Sequence, residues 1–131
     1  MIDNETIEGY LMRMDRPVET LGEGLWRIDE STDGVPPLIV RHDAPIVMLR
    51  MKVMSVPDDG REQLYRRLLE LNSNGIAFGA YAVDDGIVTL VDTLRAESMD
   101  YGELVASIES LIMAAGELYQ ELRPAATAAG E

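Results

Sequence analysis

An Asp-Gly set between two β-rich runs restricts this chain more than any other feature. Ile76 to Val83 and Ile87 to Leu94 enclose Asp84-Asp85-Gly86. Asp and Gly both tolerate the positive φ of a type I′ turn, so the segment reads as a tight hairpin. An antiparallel sheet is thereby expected, and the other segments must extend and cover it. Upstream, Ile46 to Val56 alternates: Val47, Leu49, Met51 and Val53 fall on one side, Ile46, Met48, Arg50, Lys52 and Met54 on the other. The first set suits a core. The second is half apolar, more so than a solvent-facing row usually is.

Three helices can supply the cover. Asp3 and Asn4 are N-cap types ahead of Ile7, Tyr10, Leu11 and Met14 at helical spacing, until Pro17 stops the pattern. Gly9 weakens this helix by about 1 kcal/mol relative to Ala, so it must gain stability by docking. Pro57-Asp58-Asp59-Gly60 caps a second helix from Arg61 to Asn72, with Leu64, Leu68 and Leu71 as its stripe and Tyr65 and Leu69 beside it; Asn72-Ser73-Asn74-Gly75 ends it. Asp100 and Glu103 form a capping box for a third, in which Tyr101, Leu104, Val105, Ile108, Leu111, Ile112, Ala115, Leu118, Tyr119 and Leu122 follow a 3.6-residue rhythm. Pro124 ends that helix.

Between the first two helices, Val18 to Leu21 and Leu25 to Ile28 read as one irregular strand broken by Gly22-Glu23-Gly24, and Asp33-Gly34 marks a turn. Leu38 to Arg41 is extended, and His42-Asp43-Ala44-Pro45 turns into the alternating strand. The order is α-β-β-β-α-β-β-α; short turns make the sheet antiparallel, so the class is α+β with helices packed on it. At 131 residues the expectation is a single domain over 1–124 and a disordered C-terminal tail over 125–131, which has no large apolar side chain to bury.

Composition narrows the function. Hydrophobic residues at 47% and charged residues at 27% suit a soluble globular protein. There is no signal-like N-terminus and no run of 18 apolar residues, so the cytoplasm is expected, without a membrane. Absence of cysteine removes disulfides, thiol catalysis and Cys-based metal sites. The net charge of −13 argues against nucleic acid, whose backbone needs cations. Residues 1–34 and 96–131 are each net −6, whereas 35–56, with Arg41, Arg50 and Lys52 against Asp43, are net +2. The acidity reads as solubilising helix faces, or as a surface for a basic or amphipathic polypeptide.

Catalytic constellations are missing. His42 is the single histidine, so neither a His pair nor a three-histidine zinc site can be assembled, no Ser-His-Asp triad is apparent, and it reads as an exposed turn residue. Asp58-Asp59-Gly60 and Asp84-Asp85-Gly86 sit where a cap and a turn need those residue types, and neither fits a calcium loop. No phosphate-binding glycine motif or nucleophile elbow occurs. No enzyme and no cofactor are expected. The eight methionines read as core filling, or in part as a pliable binding surface; Trp26 reads as a core anchor.

Met51 to Leu122 resembles the YbjN-like family, bacterial proteins with the fold of type III secretion chaperones of the Tir/CesT type. The likeness is carried by Leu64-Tyr65-Arg66-Arg67-Leu68-Leu69-Glu70-Leu71-Asn72, Ile76-Ala77-Phe78-Gly79-Ala80-Tyr81, Gly86-Ile87-Val88-Thr89-Leu90-Val91 and Met99-Asp100-Tyr101-Gly102-Glu103-Leu104. The resemblance implies the element order already read. It also implies a small, acidic, cytoplasmic, dimeric and non-catalytic protein that holds an extended or amphipathic segment of another protein, either as a chaperone for an effector or as a regulator of sensory transduction. A small molecule bound in a helix–sheet groove is the alternative.

Two candidate surfaces follow. Partner binding is expected at Ile46, Met48, Arg50, Lys52 and Met54, unless the first helix covers that row through Ile7, Tyr10, Leu11 and Met14. A homodimer interface is expected at Leu64, Tyr65, Tyr81 and Val91.

Overall fold

The structure, a computed structural model, describes residues 2–29 and 35–130, of which 122–130 as backbone only; Asp33-Gly34, read as a turn, lies outside them. The chain runs α1 (Asn4–Arg13), β1 (Val18–Gly22), β2 (Leu25–Ile28), β3 (Leu38–Asp43), β4 (Ile46–Ser55), α2 (Arg61–Asn74), β5 (Ala80–Asp84), β6 (Ile87–Arg95) and α3 (Tyr101–Gly130). The sheet is antiparallel throughout, in the order β1-β2-β3-β4-β6-β5. The α+β class is as read, and the broken strand of 18–28 is resolved into the hairpin β1–β2. Gly24 makes that reversal, with φ of 71°; a Cβ there would lie 3.1 Å from the His42 carbonyl oxygen. Asp85 and Gly86, with φ of 51° and 75°, build the expected type I′ turn between β5 and β6.

Register decides which side chains meet the helices. Trp26, Val40 and Leu49 stand opposite one another across β2, β3 and β4, as do Met51, Leu90 and Tyr81 across β4, β6 and β5. All six are buried, together with Ile7 and Leu11 of α1 and Leu104, Ile108, Leu111 and Leu118 of α3. Each such burial contributes roughly 1.5–3 kcal/mol. Both helices therefore lie on one face of the sheet.

Polar ties fix α1 there. Asp3 caps it by accepting from the Thr6 backbone N–H at 2.9 Å. Glu8 accepts from the Thr20 hydroxyl at 2.8 Å and the Trp26 indole N–H at 3.1 Å, and these donors hold its carboxyl below the ordinary glutamate range. Asn4 Oδ1 lies 2.6 Å from His42 Nδ1. His42 is thus a half-buried strand residue rather than an exposed turn residue, because β3 continues to Asp43 before the chain reverses.

Two helix ends differ from the reading. At α2 the N-cap is Gly60, in the left-handed region and without a side-chain cap; Asp58 lies 3.5 Å from Arg61 instead. At α3 the expected cap forms, the Asp100 carboxylate accepting from the Glu103 N–H at 2.7 Å. Its far end passes through Pro124 to Gly130, where the alanine-rich sequence has high helix propensity.

Candidate functional site

The sheet's other face carries no helix among the described residues. Along β3 and β4 it forms a groove of about 720 Å³, lined by Pro37, Ile39, Arg41, Asp43, Met48, Arg50 and Lys52. Pairing arranges these as a checkerboard, Ile39 opposite Arg50 and Arg41 opposite Met48. Met48 and Ile39 are half-buried while Arg41, Arg50 and Lys52 are exposed. Arg50 reaches over β6 to Asp84 on β5, at 2.9 Å, an exposed pair that contributes little to stability. Such a surface can hold an elongated ligand through apolar contact and charge. Among the described residues no group of three or more His, Asp or Glu could hold a metal ion.

Four of the five residues of the expected row share one face. Ile46, Met48, Arg50 and Lys52 share the outer face, and α1 does not cover them, since it lies on the opposite one. Met54 departs from the row. A bulge between Lys52 and Met54 inserts Val53, after which Met54 stands opposite the buried Val88 and packs toward the core. A bulge shifts the alternation by one residue, so strict two-residue counting places Met54 on the wrong side. Sequence reasoning missed the β3 half of the groove, namely Pro37, Ile39, Arg41 and Asp43. Pairing Leu38–Arg41 with the next strand across its short turn would have found it.

The expected dimer residues do not form one surface. Leu64 packs against the core, Val91 stands opposite Arg50 on the outer face, and Tyr81 points the other way and is buried, its hydroxyl donating to the Ala114 carbonyl at 3.1 Å. Burial pushes the Tyr81 phenol up to about 12. Only Tyr65 and Tyr81 meet, in a hollow of about 400 Å³ between α2 and β5 that Leu68, Leu69, Asn72, Ala82 and Val83 also line. Leu69 and Val83 are 69% and 45% exposed there. Asn72 closes part of the sheet edge: its amide accepts from the Tyr81 N–H at 2.6 Å and donates to the Tyr81 carbonyl at 3.1 Å. Arg67 on the same helix forks onto the carboxylate of Glu121 on α3.

No helix among the described residues is long and apolar enough to cross a membrane. Three solved structures share the fold. The ExoU–SpcU heterodimer from the type III secretion system of Pseudomonas aeruginosa contains a chain superposing with a TM-score of 0.71 at 21% identity, over 90% of this chain and 98% of that one. YbjN of E. coli gives 0.69 at 13% identity, over 94% and 92%. The HopA1–SchA chaperone–effector complex gives 0.57 at 16% identity, over 82% and 85%. No curated protein matches in sequence. At such identities these likenesses speak of fold, but the family model CesT_Tir_1 matches residues 2–127, and the chain belongs to that family.

Proposed function

We propose that this protein is a non-catalytic, chaperone-like or regulatory binding module of the cytoplasm. It captures an extended or amphipathic segment of another protein on the outer face of its sheet. One observation carries the reading: a sheet face lined by alternating apolar and cationic side chains, Ile39, Met48, Arg41, Arg50 and Lys52, and left open by all three helices. Family membership supports it, as do folds shared with a chain of a heterodimeric complex from a type III secretion system and with one of a chaperone–effector complex. The protein acts as a homodimer whose copies meet at the α2–β5 hollow.

Lys52 is the chain's only lysine, so an amine-directed photo-crosslinker labels the groove and the N-terminal amine alone, and Lys52→Arg isolates the groove's share. Treated with extract of its own cells, the labelled protein should couple to a protein partner, and Met48→Glu should abolish the coupling. Coupling that persists in Met48→Glu, or a wild type that couples to nothing, would overturn the proposed site.

A further inference from the structure

The 24 acidic residues outnumber the 11 basic ones, yet the strands reverse that balance on their outer face. Register places Arg27, Arg41, Arg50, Lys52 and Arg95 there, against Glu19, Asp43 and Asp84 among strand residues. Arg27 pairs with Glu19 at 3.1 Å and Arg50 with Asp84 at 2.9 Å. Among the described residues Arg41 and Lys52 have no ion pair. The groove's own carboxylate is Asp43. Two uncommitted cations thus flank apolar Ile39 and Met48 in a chain that is elsewhere strongly acidic.

The backbone of the ligand is constrained as well. An extended chain laid face-on would leave its N–H and C=O groups unpaired against the side-chain carpet, whereas a helix satisfies its own. A helix would also add the missing layer to a sheet covered on one side. Arg41 stands opposite Met48, four residues from Lys52 on the neighbouring strand, so the two free cations are separated by roughly 14 Å across the sheet. Carboxylates at i and i+8 of a helix rise by about 12 Å, so two turns bring them within side-chain reach of both cations.

Resting on the capture reading above, we infer that the groove's ligand is an acidic amphipathic helix of a partner protein, its apolar stripe on Ile39 and Met48 and its Asp or Glu side chains on Arg41 and Lys52. The acidity of the two terminal segments, 1–34 and 96–131, then repels such a segment and favours this face.

Three synthetic helical peptides with the same leucine stripe, flanked by Glu, Gln or Lys, test this by fluorescence anisotropy on the full-length protein. The Glu peptide should bind roughly tenfold or more tighter than the Gln peptide, the Lys peptide weakest, with the difference shrinking in high salt. Arg41→Glu with Lys52→Glu should remove the preference while the thermal midpoint stays unchanged. Carbodiimide should couple the Glu peptide to Lys52, as peptide mapping reads, and Lys52→Arg should bind it with that crosslink lost. Equal or Lys-favouring binding that Met48→Glu abolishes would overturn the acidic ligand and leave the capture reading standing. Binding by none of the peptides overturns the helix inference, while capture is judged separately through the Lys52 crosslink. Displacement of the Glu peptide by dilute inorganic polyphosphate would show a general anion site and likewise overturn it.

Discussion

Gly79 illustrates how tightly single atoms are constrained around the last hairpin. Its φ is +91°, and an added Cβ would lie 2.8 Å from the Val91 carbonyl oxygen and 2.7 Å from a Leu111 methyl. Gly79→Ala should therefore lose about 2 kcal/mol or more in urea unfolding, from strain and overpacking together. Gly60→Ala, at φ +77° but with open space around it, should lose only about 1 kcal/mol; equal losses would show that contact adds nothing. Tyr81 supplies a pH signature. Its phenol is raised from 10.0 to about 12, so the folded state disfavours tyrosinate. That contribution to stability is intact below the unfolded value and is lost as pH rises through the folded one. Stability should accordingly fall between pH 10 and 12, in step with tyrosinate absorbance, and the fall should be shallower in Tyr81→Phe.

At the scale of elements, the bulge in β4 separates two methionines that sequence alternation groups together. Met48→Glu places a carboxylate on the open face and should leave the thermal midpoint within the small range of surface substitutions, about 0.5 kcal/mol. Met54→Glu points it toward Val88 and should cost about 1–3 kcal/mol. If both variants unfold alike, β4 does not carry the bulge and pairs with β6 in some other register. The hairpin at Asp85-Gly86, the capping of α1 and α3 and the alternation of Val47, Leu49 and Met51 were all legible, because each depends on chemistry within a few residues. Illegible were the bulge, the partners of β3 and the half-burial of His42. These depend on which strand lies alongside and on where a tertiary contact shifts the pleat. The groove could thus be half found: its β4 side through periodicity, its β3 side only through pairing.

The whole molecule has a helical side and a bare sheet side, and the proposed dimer puts its second copy at the edge, against the hollow between α2 and β5. Tyr65, Leu69 and Val83 expose apolar surface there, and a two-fold axis would pair that surface with itself. Sedimentation should show twice 14.5 kDa, and Leu69→Glu with Tyr65→Glu should return the monomer mass; a wild-type monomer at micromolar concentration and physiological salt would rule the dimer out. The two hydrogen bonds from Asn72 to Tyr81 bear on how such copies can join. β5 is an outermost strand, and an open edge of this kind templates addition of further strands from other chains. Here a side-chain amide stands in for the next strand at Tyr81, donating and accepting as a peptide group would. The β5 edge is thereby plugged from within at this residue, so the proposed pairing at the α2–β5 hollow proceeds by side-chain packing and not by continuation of β5.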